Sequence, residues 1–178
     1  MSQDLLSIVI PVYNEQTHIA SSIATVRSIL DGARIPHQFI LVDDGSRDQT
    51  WHELQKLARQ MPGIKAYKLS RNFGKEAALC AGLEQVDTYA ALIMDADLQH
   101  PPELIPAMVV KLHEGFDVID GIKSNRGHEA MLYKWGARAF YSSFMRLTGF
   151  DLRDASDFKL MNRKAIDAWK RLPERDTF

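Results

Sequence analysis

The sequence predicts an α/β fold with a mostly parallel central sheet flanked by helices, and three observations carry that expectation. Short β-branched runs alternate with stretches of helical periodicity, the rhythm of βαβ units. The first four runs each end in polar or acidic residues, and right-handed crossovers bring the C-termini of such strands to one rim of the sheet. The fourth run, Ala90-Ala91-Leu92-Ile93-Met94, delivers two carboxylates, Asp95 and Asp97, to that rim. Ligands of open α/β sheets collect where parallel strands end.

The elements follow in order. Leu6 to Val12 reads as a buried strand that ends in Tyr13-Asn14-Glu15. Ile19, Ile23, Val26 and Ile29-Leu30 then recur at helical spacing until Asp31-Gly32 stops the pattern. A second strand, Gln38 to Val42, runs into Asp43-Asp44-Gly45-Ser46. Trp51, Leu54, Leu57 and Ala58 mark a second helix, closed by Pro62-Gly63. A third strand, Ile64 to Leu69, leads through Ser70-Arg71-Asn72-Phe73-Gly74-Lys75 to an Ala-rich helix from Glu76 to about Val86. After the fourth strand, Pro101-Pro102 ends extended structure and opens a helix, because proline suits a first helical turn and not a sheet interior. Beyond Leu112 the reading is a strand over Phe116 to Ile122, a polar loop from Lys123 to His128, and a long aromatic-rich helix from Glu129 to Leu147. A loop from Asp151 to Asp157, a short strand over Phe158 to Met161 and a last helix from Arg163 to Leu172 complete it.

A chain of 178 residues can bury a real core as one domain. Its net charge of −1 argues against a nucleic-acid protein with a wholly basic surface. The single cysteine, Cys80, excludes an intrachain disulfide framework and fits a reducing, cytosolic setting. The first apolar run is short and interrupted at Pro11, unlike a signal peptide. No segment approaches the ~20 continuous apolar residues of a membrane-spanning helix, so the expectation is a soluble or peripheral chain.

The chain has no G-x-G-x-x-G after its first strand and no G-x-x-x-x-G-K-[ST] anywhere, which weighs against a dinucleotide-binding protein and a P-loop NTPase. Asp95 and Asp97 offer hard oxygen ligands to Mg²⁺ or Mn²⁺, which typically use one or two carboxylates plus substrate phosphates. A bare Asp-x-Asp is otherwise a capping carboxylate with a solvated neighbour. Asp43-Asp44-Gly45-Ser46 alone is a common turn. Beside Tyr13, whose ring can lie against a planar base, and Glu15, it becomes a plausible nucleoside site. His100 adjoins the acidic pair, but no other histidine or cysteine has matching spacing, so a turn or packing role is expected. His18, His37, His52, His113 and His128 read as surface residues, and Cys80 as a small core residue.

Four motifs in order carry a family resemblance: Ser7-Ile8-Val9-Ile10-Pro11-Val12-Tyr13-Asn14-Glu15, Val42-Asp43-Asp44-Gly45-Ser46, Arg71-Asn72-Phe73-Gly74-Lys75 and Asp95-Ala96-Asp97-Leu98-Gln99-His100-Pro101-Pro102-Glu103. Together they resemble family 2 glycosyltransferases of the GT-A fold, a Rossmann-like nucleotide-binding fold. More narrowly, the chain resembles the polyprenyl-phosphate glycosyltransferases, the group of bactoprenol glucosyltransferases and dolichol-phosphate mannose synthases. Arg153-Asp154-Ala155-Ser156-Asp157-Phe158-Lys159-Leu160-Met161-Asn162-Arg163, with Leu172-Pro173-Glu174-Arg175 after it, is closest to the bactoprenol branch.

The resemblance implies that Pro11, Tyr13, Glu15 and Asp44 surround the base and ribose of a sugar nucleotide. Asp95 and Asp97 would hold Mg²⁺ or Mn²⁺ on its diphosphate, with Gln99 as a further ligand, and Arg71 and Lys75 would lie within reach of phosphate. Asp157 would line the acceptor and sugar site, and Arg126 would meet the acceptor phosphate. Lys159 stands where arginine is usual in that motif, and Ser156 where glycine is common, which weakens bidentate phosphate contact there. The implied reaction is an inverting transfer of a hexose, with UDP-glucose as the favoured donor, to polyprenyl (undecaprenyl) phosphate. The alternatives are a transferase with a saccharide-hydroxyl acceptor, for which Asp157 would act as base, and a non-catalytic sugar-nucleotide-binding module. Lys134, Arg138 and Arg146 form a stripe beside Trp135, Phe140, Tyr141 and Phe144, suited to a membrane surface or to ordinary packing on the sheet. The expectation is therefore one catalytic domain over residues 1–178, truncated ahead of C-terminal membrane helices and placed in the cytoplasm at the inner face of the membrane. Sugar, metal and oligomeric state stay open, a homo-oligomer included.

Overall fold

The computed structural model describes residues 5–121 and 158–171. Six strands form one sheet: β1 (Leu6–Val12), β2 (His37–Asp43), β3 (Ile64–Lys68), β4 (Ala90–Ile93), β5 (Val118–Asp120) and β6 (Lys159–Asn162). Their spatial order is β3-β2-β1-β4-β6-β5. The first four pair in parallel, with Val9 opposite Ile40 and Ile93, while β6 runs antiparallel to both β4 and β5. The parallel strands therefore end on one rim, as their sequence rhythm predicts, and β6 begins on that same rim.

Alternation along β1 shows how the sheet is buried on both faces. Ile8 and Ile10 face one layer with Phe39, Leu41 and Leu92. Helices α1 (Ile19–Gly32), α2 (Thr50–Gln60) and α4 (Ile105–His113) cover that side through Ile23, Leu54 and Met108. Val9, Ile40, Val42 and Ala91 face the other layer, covered by α3 (Lys75–Glu84) and α5 (Arg163–Lys170) through Ala78, Leu83 and Ile166. Such side chains each contribute about 1.5–3 kcal/mol on full burial. Gly82 lets α3 lie close: a Cβ there would stand 2.5 Å from Val9 Cγ1. Gly121 does the same for Phe158, whose Cδ1 would lie 2.3 Å from an added Cβ.

The elements match the sequence reading closely, with shorter late strands. Pro102–Leu104 forms a 3-10 turn before α4, so the proline pair opens the helix as predicted. One expectation is corrected. His37 is not a surface residue: its side chain is only 8% exposed, its ring meets Phe39 edge-on, and Nδ1 lies 2.9 Å from the Ile35 carbonyl. A lone polar residue at a strand start carries no period that would reveal this. The long helix expected over Glu129 to Leu147, with its basic stripe, lies outside the described residues, as do the Lys123 to His128 and Asp151 to Asp157 loops. Among the described residues no helix is long and apolar enough to cross a membrane.

At the end of the sheet opposite the rim, a polar cluster ties β1, β2 and the β4 approach together. Gln38 Nε2 donates to Ser7 Oγ at 2.9 Å and to Asp87 Oδ1 at 3.1 Å, and Ser7 pairs with Thr88 at 2.8 Å. The Gln38 hydrogen bond, with the Lys65 charge behind it and some desolvation opposing, holds the Asp87 carboxyl below its ordinary 3.8. A carboxylate depressed by folding adds stability that is complete above its unfolded value and fades as pH falls through the folded one. Asp87→Asn should therefore be less stable than the parent in urea at about pH 7, and the gap should narrow as pH falls below the ordinary 3.8 of the carboxyl.

Candidate functional site

The rim is assembled from loops that hold one another. At the end of β1, Asn14 turns the chain with φ of 55° and donates its N–H to Ser46 Oγ at 2.9 Å, while its side-chain Oδ1 accepts from Arg47 N. Glu15 N donates to Thr50 Oγ1 at 2.8 Å, and Gln16 Oε1 accepts from Gln49 N. The loop after β1 and the loop after β2 are thus stitched together by side chains of both.

The loop after β2 also grips the loop after β3. Asp44 is buried, and its two oxygens accept the Phe73 and Gly74 amides at 2.8 and 3.0 Å. Gly45, with φ of +67°, passes so near that loop that a Cβ would come within 2.4 Å of the Arg71 carbonyl carbon. Asp43 is buried as well: Oδ1 accepts Ser46 N, Oδ2 has no hydrogen-bond partner among the described residues, and Lys68 Nζ sits 3.7 Å away as its counter-charge. Asp43 thus serves the turn, as the bare motif predicts, whereas Asp44 both braces the neighbouring loop and faces the cleft.

That brace presents Lys75 in the first turn of α3. Its ammonium lies 2.5 Å from Asp95 Oδ1, with side-chain exposures of 38% and 28%. Asp97 is exposed and accepts the Gln99 amide at 3.1 Å. Together these loops line a cleft of about 340 Å³ bounded by Pro11, Val12, Tyr13, Glu15, Asp44, Asn72, Gly74, Lys75, Asp95, Ala96 and Asp97. That size suits a small ligand. Of the nine described residues named in the sequence as nucleotide, phosphate or cation ligands, seven meet here: Pro11, Tyr13, Glu15, Asp44, Lys75, Asp95 and Asp97; Arg71 and Gln99 do not line the cleft.

Other candidates fall elsewhere. Arg71 lies with its guanidinium 4.7 Å from the Phe73 ring centroid and does not line the cleft, so of the two basic residues in that loop Lys75 alone does. Gln99 contributes its backbone amide to Asp97. His100 stacks on Phe158 at 5.3 Å and 7°, the packing role expected for it. Lys159 is not set on the cleft: it pairs with Asp120 at 3.0 Å, tying β6 to β5. Asp157 and Arg126 lie outside the described residues. Sequence reasoning passed over Val12, Asn72, Gly74 and Ala96 as site residues, although all four stand inside the quoted motifs.

Among the described residues the cleft carries four carboxylates, Glu15, Asp44, Asp95 and Asp97, against one ammonium. A divalent cation fits this donor set. Two hard oxygen groups stand at one strand end, and Asp95 already holds a cationic group in Lys75. Among the described residues no set of three His, Cys, Asp or Glu could hold a metal ion. Its remaining ligands would therefore be substrate oxygens and water, as is common for Mg²⁺. The N-terminus of α3 adds a partial positive charge beside Gly74 and Lys75.

This mostly parallel sheet between helical layers is the GT-A fold of glycosyltransferases. The mannosyltransferase PcManGT of Pyrobaculum calidifontis, solved in complex with GDP-Man and Mn²⁺, superposes with a TM-score of 0.65 over 96% of this chain and 48% of its own, at 18% identity. The chain itself belongs to glycosyl transferase family 2, whose model matches residues 7–169. An uncharacterized glycosyltransferase of Synechocystis is 40% identical over 97% of this chain and 55% of its own length. An undecaprenyl-phosphate 4-deoxy-4-formamido-L-arabinose transferase of Pseudomonas paraeruginosa is 36% identical over 98% of this chain and 52% of its own. The chain spans about half the length of these curated relatives.

Asp44→Ala leaves the Phe73 and Gly74 amides without their acceptor and should destabilise by about 1–3 kcal/mol. Gly45→Ala should cost at least about 1 kcal/mol from its left-handed backbone alone. Both should lower the melting temperature, Gly45→Ala without removing a single charged group from the cleft.

Proposed function

We propose that this chain is the catalytic domain of a metal-dependent, inverting glycosyltransferase that moves a sugar from a sugar nucleotide to polyprenyl (undecaprenyl) phosphate. The observation that carries the reading is the convergence of Tyr13, Glu15 and Asp44 with Lys75, Asp95 and Asp97 in one cleft on the rim. Family membership and the activity named for the Pseudomonas relative support it.

In this reading Tyr13, 38% exposed, offers its ring to the base, and Glu15 and Asp44 accept hydrogen bonds from base or ribose. The carboxylate of Asp44 remains able to do so, because each oxygen has a second lone pair beyond the amide it already accepts. Asp95 and Asp97 would hold Mg²⁺ or Mn²⁺, which supplies Lewis-acid stabilisation of the departing diphosphate. Lys75 and the α3 N-terminus place positive charge on the same group.

The acceptor explains what the site need not contain. A phosphomonoester has a second pKa of ~6, so a polyprenyl phosphate is largely ionised at neutral pH and already carries a nucleophilic oxygen. Transfer then calls for positioning in place of a general base. Asp157 is assigned to orienting the acceptor and sugar, and Arg126 to the acceptor phosphate. The donor is taken as a UDP-sugar, with UDP-glucose first in line and a UDP-pentose next to it because of the sugar named for the Pseudomonas relative. With a lipid acceptor the reaction is assigned to the cytoplasm at the inner face of the membrane, and the basic, aromatic sequence of residues 129–147 is assigned to lipid contact on its composition.

Turnover of UDP-glucose with undecaprenyl phosphate and Mg²⁺ or Mn²⁺ should fall about 10²–10³-fold in Asp97→Ala. Full activity of that variant without metal refutes the assignment, and transfer to free sugars in place of lipid phosphate moves the protein to the saccharide-acceptor class. Flotation with anionic vesicles should carry the chain to the lipid layer; a chain that stays at the bottom removes the membrane contact.

A further inference from the structure

We propose that Lys75 is the cleft's resident counter-ion, holding Asp95 until a divalent cation arrives with the nucleotide, so that cation and nucleotide bind cooperatively. The inference rests on the reading of Asp95 and Asp97 as cation ligands and extends it to the order and coupling of binding.

The Lys75 ammonium forms an ion pair with Asp95 Oδ1. A divalent cation that takes this oxygen displaces a like charge from it. Both side chains are partly open to water, so the pair can exchange partners without unfolding. The backbone beneath Lys75 does not share that freedom. Asp44 clamps the Phe73 and Gly74 amides immediately before it, and the next residues are the first turn of α3. Movement is therefore confined to the flexible four-carbon stem, which can carry three donors from a carboxylate to a neighbouring anion.

Two half-reactions are then unfavourable alone and favourable together. A cation that binds first takes Asp95 and costs Lys75 its contact there. A bare nucleotide diphosphate meets a cleft with four carboxylates and an ammonium already engaged. When both enter, Asp95 exchanges the ammonium for the divalent cation and Lys75 exchanges the carboxylate for a phosphate oxygen. Asp95 and Lys75 each keep an opposite charge beside them. Binding coupling of this kind is reciprocal: each ligand raises the affinity of the other by the same factor.

The test measures Mn²⁺ binding by the loss of free-ion EPR signal, with and without UDP, for the purified chain and for Lys75→Met and Lys75→Gln. In the parent, UDP should tighten Mn²⁺ binding by about tenfold or more. Both variants should bind Mn²⁺ alone about tenfold tighter than the parent, bind UDP more weakly, and show reduced coupling. Added salt should narrow the difference between parent and variants. Mn²⁺ binding that is equal or weaker in both variants overturns the inference while leaving the cation site intact. Failure of all three proteins to bind Mn²⁺ at saturating UDP overturns the reading of Asp95 and Asp97, and the inference with it.

Discussion

The buried carboxylate of Asp44 is the constraint on which the rim depends. It is nearly sealed from water, and a buried charge of this kind persists only where hydrogen bonds support it. Two amides of the neighbouring loop give each oxygen one such bond, and that act fixes the point from which α3 sets out. One residue thus makes a strand end, a loop and a helix start into a single rigid corner. The cleft exists because this corner stands opposite the end of β4.

Around that corner the sheet supplies order and the loops supply chemistry. Parallel pairing of β1 with β2 and β4 places Val12, Asp43 and the approach to Asp95 on adjacent strand ends. Hydrogen bonds between the loops after β1 and β2 then remove the freedom such segments would otherwise have. The antiparallel β6 enters from the same rim, with Phe158 packed between His100 and the bare Cα of Gly121. The nucleotide side of the proposed site and the start of β6 therefore share a boundary at His100, directly after the acidic pair.

Much of this was legible in the residues. β-branched runs, helical spacing and turn residues placed β1 to β4 and their helices within a few residues, because local preference and burial agree there. The acidic pair was recognisable from a strand before it and prolines after it. Contacts between distant residues were not legible. Nothing in the spacing of Lys75 and Asp95 announces an ion pair, and nothing in Asp43-Asp44 says which carboxylate braces a loop and which serves its own turn. His37 differs, because its recorded partners Ile35 and Phe39 lie only two residues to either side, and no periodicity marks the burial of a polar ring at a strand start. Lys159, read as a weakened phosphate contact, proves to be a sheet tie to Asp120.

The missing side chain at Gly82 has a reach beyond its own contact. Helix α3 rests on Val9 there and carries Lys75 at its other end, about 10 Å away along the axis. A helix of this length behaves as a stiff rod. Bulk inserted under Gly82 would therefore push against Val9 and Val42 and lift the far end of the rod, while Asp44's clamp keeps the Lys75 end where it is. The smallest residue in the hydrophobic layer guards the seat of the helix on the sheet, and a buried carboxylate at the opposite end guards its charged tip.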